Sequence, residues 1–156
     1  MTEADVDSLS GNRMEETEAR AFLKERGTGV LSLAREGEAY GFPVSFGYDE
    51  DADRIYFVFV GYGEESRKES FAGETTRASL CVYAADSARD WRSVVVDGAI
   101  DAVEDGWEDS RAALEDNAWY PSLFSEADPR RDLSVWGLNV ESISGLRGPD
   151  AESTSE

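Results

Sequence analysis

The residues best suited to chemistry in this chain sit in one run, Gly61-Tyr62-Gly63-Glu64-Glu65-Ser66-Arg67-Lys68. It reads as a glycine-containing loop that feeds a helix bearing Ser66, Arg67 and Lys68. Such a junction suits an anion, and a phosphate group above all. The N–H groups of a helix start carry partial positive charge, and Arg67 and Lys68 add two full charges. The cluster stands out because positive charge is scarce here. There are 15 Lys and Arg against 34 Asp and Glu, a net charge of −19, and Lys24 and Lys68 are the only lysines.

The same composition removes several kinds of chemistry. Histidine is absent, so His-based acid–base catalysis, Ser-His triads and His-ligated zinc or haem are excluded. The single cysteine, Cys81, lies in an apolar strand pattern and is expected to be a buried, inert thiol; one cysteine makes neither a Cys-rich metal site nor an internal disulfide. No metal is expected, no catalytic side chain is singled out, and the hard chemistry falls to a bound cofactor. No basic stripe exists to neutralise nucleic-acid phosphates. Met1 to Asn12 lacks the basic and apolar regions of an export signal, and no apolar run is long enough for a membrane span, so a cytoplasmic protein is expected. A surface this acidic and lysine-poor repels itself, and concentrated salt relieves the repulsion; the composition resembles that of proteins from salt-loving organisms.

The elements that must position the cluster can be read in order. Residues 1–13 read as a flexible leading segment, 14–147 as one folded domain and 148–156 as a disordered acidic tail. Thr17 to Arg26 reads as a helix with Ala19, Phe22 and Leu23 on one face, a Glu16–Arg20 pair and Gly27 as its stop. Strands are expected at Gly29–Arg35, Ala39–Tyr48, Arg54–Val60, Arg77–Ala84, Trp91–Val103 and Leu133–Ser142. Pro43 makes the second of these an edge strand or one with a bulge that frees the backbone of Val44 and Ser45. Gly98 predicts a bend in the fifth. A helix is expected from a capping box at Asp105 and Glu108 to about Asn117. The result is a mainly β fold with peripheral helices, a six-stranded antiparallel barrel.

Several pieces, in order, resemble the pyridoxamine 5′-phosphate oxidase-like, FMN-binding split-barrel superfamily. These are Gly29-Val30-Leu31-Ser32, Gly41-Phe42-Pro43-Val44-Ser45-Phe46, Ile55-Tyr56-Phe57-Val58-Phe59, Ser66-Arg67-Lys68 and Trp91-Arg92-Ser93-Val94-Val95-Val96-Asp97-Gly98. The resemblance covers roughly Phe22 to Ala102, with a weaker echo in Ser134 to Gly148. It implies a split barrel with FMN as cofactor. Pro43, Val44, Ser45 and Phe46 would lie along the polar edge of the flavin ring, and Val60 and Gly61 beside the ribityl chain. Ser66, Arg67 and Lys68 would hold the phosphate, and Ser93 stands where the family motif has glutamine. It further implies a homodimer with the flavin site at the interface, to which Trp136 or the Trp119-Tyr120 segment of a second subunit could contribute. Vitamin B6 phosphate oxidation does not follow, because the histidine-containing substrate motif is missing. The reading that results is an FMN-dependent oxidoreductase of the nitroreductase-like branch, halophilic archaeal type, taking hydride from a nicotinamide donor. Two alternatives stand beside it: a deazaflavin-coenzyme reductase of the same superfamily, and a flavin-binding redox sensor without turnover.

Overall fold

The computed structural model describes residues 10–60, 67–104, 107–116 and 133–152. Within them lie nine strands and three helices. The chain begins with β1 (Asn12–Arg13), α1 (Glu16–Arg26), β2 (Thr28–Arg35), β3 (Glu38–Ser45), β4 (Gly47–Asp49) and β5 (Arg54–Val60). After α2 (Arg67–Glu74) come β6 (Arg77–Ala85), β7 (Trp91–Ala102), α3 (Trp107–Glu115), β8 (Leu133–Asn139) and β9 (Ser142–Arg147). Among the described residues, no helix is long and apolar enough to cross a membrane.

Every strand pair is antiparallel, and the sheet bends into two halves that share β7. On one side the order is β3-β2-β6-β7-β9-β1, and on the other β7-β8-β5-β4. The hand-over occurs at Gly98. Residues up to Asp97 pair with β9, and residues from Ile100 pair with β8. A Cβ at Gly98 would lie 1.7 Å from the Asn139 carbonyl oxygen, so only glycine lets the β8–β9 turn pass this close. The architecture is an antiparallel split barrel with peripheral helices.

The core is what the alternation of apolar residues predicts. Leu31, Leu33, Leu80, Val82, Val94 and Val96 point inward from one half, and Ile55, Phe57 and Leu138 from the other. Ala19, Phe22 and Leu23 of α1 close the barrel end. Each fully buried side chain of this size contributes about 1.5–3 kcal/mol. Tyr56, Val58, Val135 and Leu114 form a second cluster under α3.

The structure departs from the sequence reading in several places. Six strands become nine. The second expected strand divides at Phe46, whose side chain enters the core and whose N–H donates to Gly27 O at 2.9 Å. The last expected strand turns at Val140 and Glu141 and returns as β9. Asn12 and Arg13, read as part of the flexible lead, pair with Arg147 and Leu146. Residues 148–152, read as part of the tail, are packed: Gly148 N–H donates to Trp91 O at 2.8 Å, Asp150 pairs with Arg89 at 3.1 Å, and Ala151 is buried. Pro43 makes no bulge, since the β2–β3 register is unbroken from Thr28↔Ser45 to Arg35↔Glu38. It sits instead on an edge strand, where its missing N–H is tolerated. Cys81 is half-buried rather than buried. The capping box at Asp105 falls outside the described residues.

Candidate functional site

Four local features bring distant residues to one end of the barrel. Gly27 adopts φ 70° and ends α1, so Arg26 stands at the point where the chain turns into β2. The two-residue turn Glu36-Gly37, with φ 47° and 81°, is of the type that matches strand twist. It returns β3 along β2, which sets Pro43, Val44 and Ser45 opposite Val30, Gly29 and Thr28. The ends of β5 and β6 add Val58 and Phe59, and Tyr83, Ala84 and Ala85. The first turn of α2 adds Lys68.

These residues enclose a cleft of about 550 Å³. Its walls are apolar at Val30, Val44, Val58 and Phe59, and polar at Thr28 and Ser45. Among the described residues, no carboxylate lines it, although the chain carries 34 acidic residues. Its two ionic groups are both cations, Arg26 and Lys68. Lys68 Nζ lies 4.9 Å from the centre of the Phe42 ring, a contact that holds an ammonium without neutralising it. Neither cation forms an ion pair among the described residues. Elsewhere arginines are commonly tied up, as Arg35 is with Glu74 at 3.0 Å and Arg54 with Asp101 at 2.7 Å. The cleft is thus a positive, partly apolar recess in a negative surface.

The structure brings together four of the residues singled out by sequence: Pro43, Val44, Ser45 and Lys68 all line the cleft. Three others lie apart. Phe46 is 1% exposed and belongs to the core. Arg67 does not line the cleft; its guanidinium stacks 4.4 Å from the Tyr40 ring centre and 3.9 Å from Glu38. Ser93 lies opposite Tyr83 and Leu146, one strand away from the cleft residues of β6. Val60 pairs with Leu133 through its backbone. Gly61 and Ser66 lie outside the described residues. Tyr40 lies under Arg67, and Tyr62 falls outside the described residues. Trp136 donates its indole N–H to Ser134 within its own strand at 3.1 Å and packs against Phe59, while the Trp119-Tyr120 segment is outside the described residues.

Tyr48 belongs to a separate polar cluster. Arg20 donates two hydrogen bonds to Asp53, at 3.2 and 3.0 Å, and the Tyr48 hydroxyl donates a third at 2.6 Å. Desolvation opposes ionisation of Asp53, but the bonds from Arg20 and Tyr48 outweigh it and hold its carboxyl below the usual value. Burial, with the adjacent Asp53 carboxylate, pushes the Tyr48 phenol up. The cluster staples α1 to the β4–β5 turn. Next to it runs an acidic groove lined by Asp49, Glu50, Asp51, Asp109, Glu115 and Asp116.

A sequence model of one family, described as pyridoxamine 5′-phosphate oxidase, matches residues 15–147. The chain belongs to the pyridoxamine 5′-phosphate oxidase family. Solved structures agree on the fold at low identity. A FAD-binding protein from Mesorhizobium loti superimposes with a TM-score of 0.70 at 19% identity, over 88% of this chain and 98% of its own. A FAD-binding protein from Mycobacterium smegmatis gives 0.62 at 17% identity, over 88% and 98%. A FAD- and heme-binding protein from the same organism gives 0.65 at 18% identity, over 94% and 77%. No curated protein matches the chain by sequence.

In this member of the pyridoxamine 5′-phosphate oxidase family, five cleft residues lie outside the sequence motifs, Arg26, Thr28, Tyr83, Ala84 and Ala85. Arg26 carried one usable signal. The positions three and four before it are Leu23 and Phe22, so no carboxylate can pair with it on that side of the helix. Tyr83 carried none, because its place depends on where β6 ends beside β2.

Proposed function

We propose that the cleft binds FMN, with the flavin phosphate on Lys68, and that the protein is an FMN-dependent oxidoreductase. The observation that carries this reading is a cleft with no carboxylate among its described lining residues and, on one wall, a lysine without an ion pair among the described residues, in a chain of net charge −19. The donor set fits a flavin nucleotide: a cation for a phosphate, apolar walls for a ring system, and hydroxyls at Thr28 and Ser45 for its polar edge. One lysine at the α2 end suits one phosphate, which favours FMN over FAD. Family membership and the flavin-binding neighbours support the same class of ligand.

A bound flavin would supply hydride transfer between a nicotinamide donor and a small acceptor. The chain's own part is to bind, orient and exclude water. With neither histidine nor carboxylate on the described walls, the cleft has no side chain that titrates as a base near neutral pH. We further propose a homodimer. Tyr83 is 56% exposed and Leu146 46%, and Ser93 lies between them in register, so an exposed row runs from the cleft rim across β6, β7 and β9. A second copy seated on that row would reach the cleft.

The test is direct. Protein purified in molar KCl is stripped of ligand and titrated with FMN and with FAD, and the loaded form is then mixed with NAD(P)H. Saturable quenching of FMN fluorescence, followed by bleaching at a catalytic rate, is expected. Absence of FMN binding overturns the reading, while binding without bleaching leaves a flavin sensor in place of an enzyme.

A further inference from the structure

Arg26 and Lys68 come from different helices, yet they share one cleft. Lys68 lies over Phe42. Arg26 immediately precedes Gly27, whose carbonyl accepts the Phe46 N–H at 2.9 Å. Phe42 and Phe46 are four residues apart along nearly extended chain, roughly 13 Å at the rise of an antiparallel strand. Arg26 is exposed, and no ion pair neutralises it among the described residues. With no ion pair and no carboxylate lining among the described residues, the donors of this guanidinium remain available to a ligand in the cleft.

We propose that Arg26 is a second ligand-binding cation, which faces the ring end of the flavin and donates to its electron-rich carbonyl edge while Lys68 holds the phosphate. This rests on the flavin reading above. The two cations then read different parts of one molecule. Lys68 senses whether a phosphate is present, and Arg26 does not.

The experiment compares FMN with riboflavin, which has the same ring and no phosphate, by fluorescence titration at one KCl concentration. Arg26→Ala is expected to weaken both ligands by the same factor, about tenfold, the size of a lost hydrogen bond to a charged group. Arg26→Lys should restore part of the loss for both. Arg13→Ala removes one exposed positive charge from β1, away from the cleft, and is expected to change neither affinity. Melting curves of Arg26→Ala close to wild type will show that the fold is intact. Unchanged affinities in Arg26→Ala overturn the proposal, and so does a loss confined to FMN, which would make Arg26 a phosphate ligand. An equal loss in Arg13→Ala overturns it too, by reducing the effect to net charge. A wild-type protein that binds neither ligand overturns the flavin reading itself, a result distinct from a wild type that binds both and an Arg26 variant that is indifferent.

Discussion

Lys68→Ala probes the heart of the proposed site. Lys68 is half-buried, rests on Phe42 and forms no ion pair among the described residues, so its charge is available there to a phosphate at contact distance. Two unit charges about 4 Å apart attract by about 4 kcal/mol at an effective dielectric near 20. Desolvation of both groups removes part of this, and a hydrogen bond between charged groups retains about 1.5–3 kcal/mol. At 1.4 kcal/mol per factor of ten, FMN affinity should fall about 10- to 150-fold. Riboflavin affinity should stay within about threefold of wild type, because the lost interaction is with the phosphate. Arg67→Ala makes the sharper comparison. That side chain is 61% exposed, stacks on Tyr40 and lies outside the cleft lining. Its removal should cost about threefold or less, since contributions at exposed, salt-screened positions are small. Fluorescence quenching of FMN and of riboflavin, with all three proteins at 0.15 M KCl, measures every term. The reasoning is refuted if Lys68→Ala leaves FMN affinity within threefold of wild type. A larger loss in Arg67→Ala than in Lys68→Ala would equally refute the assignment of the phosphate to the lysine.

Three further outcomes are expected. Asp53 has a folded pKa held below its ordinary 3.8, so its stabilising effect is complete above that value and disappears as pH falls through the lower, folded one. Asp53→Asn should therefore lower stability at neutral pH by about 1 kcal/mol, after allowing for solvent screening of a partly exposed group, and weaken the pH dependence of acid unfolding; an unaltered acid limb would contradict the stapling role. Gly98→Ala should destabilise the fold by about 3 kcal/mol or more in urea titration, because its Cβ would collide with Asn139 O. The Tm should rise with added KCl, and Asp109→Asn with Asp116→Asn should flatten that rise, since both carboxylates line the acidic groove. A Tm indifferent to KCl would count against adaptation to high salt.

Much of the fold was legible because its signals are local. Ala19, Phe22 and Leu23 announced the buried face of α1, and Gly27 its end. The alternation in Gly29–Arg35 and Arg77–Ala84 announced strands with one buried face. Gly98 marked the place where β7 changes partners, although not what those partners are. Asn12–Arg13 was missed, and Gly47–Asp49 was not separated from the strand before it, for a physical reason. Asn12–Arg13 and Gly47–Asp49 are only two and three residues long, held by pairing with β9 and β5 and not by any periodicity of their own.

The sequence by itself determined the chemistry that is absent and the scarcity of positive charge. Residue types alone decide that no histidine can act and that any exposed cation is conspicuous against 34 carboxylates. It also marked the Arg67-Lys68 pair as a candidate anion site, because two adjacent cations at a helix start need no tertiary context to be noticed. Only the tertiary structure decided which of the two enters the cleft. Neighbours in the first turn of a helix point in different directions, and the packing of α2 against β2 sends Lys68 over Phe42 and Arg67 over Tyr40. Only the tertiary structure, too, brought Arg26 to the same recess, from the far end of a different helix. That meeting depends on the β2–β3 register and on the Phe46–Gly27 hydrogen bond, both contacts between residues distant in sequence. Local pattern cannot encode such contacts. They are fixed when the core closes and each strand takes the one register that buries its apolar face.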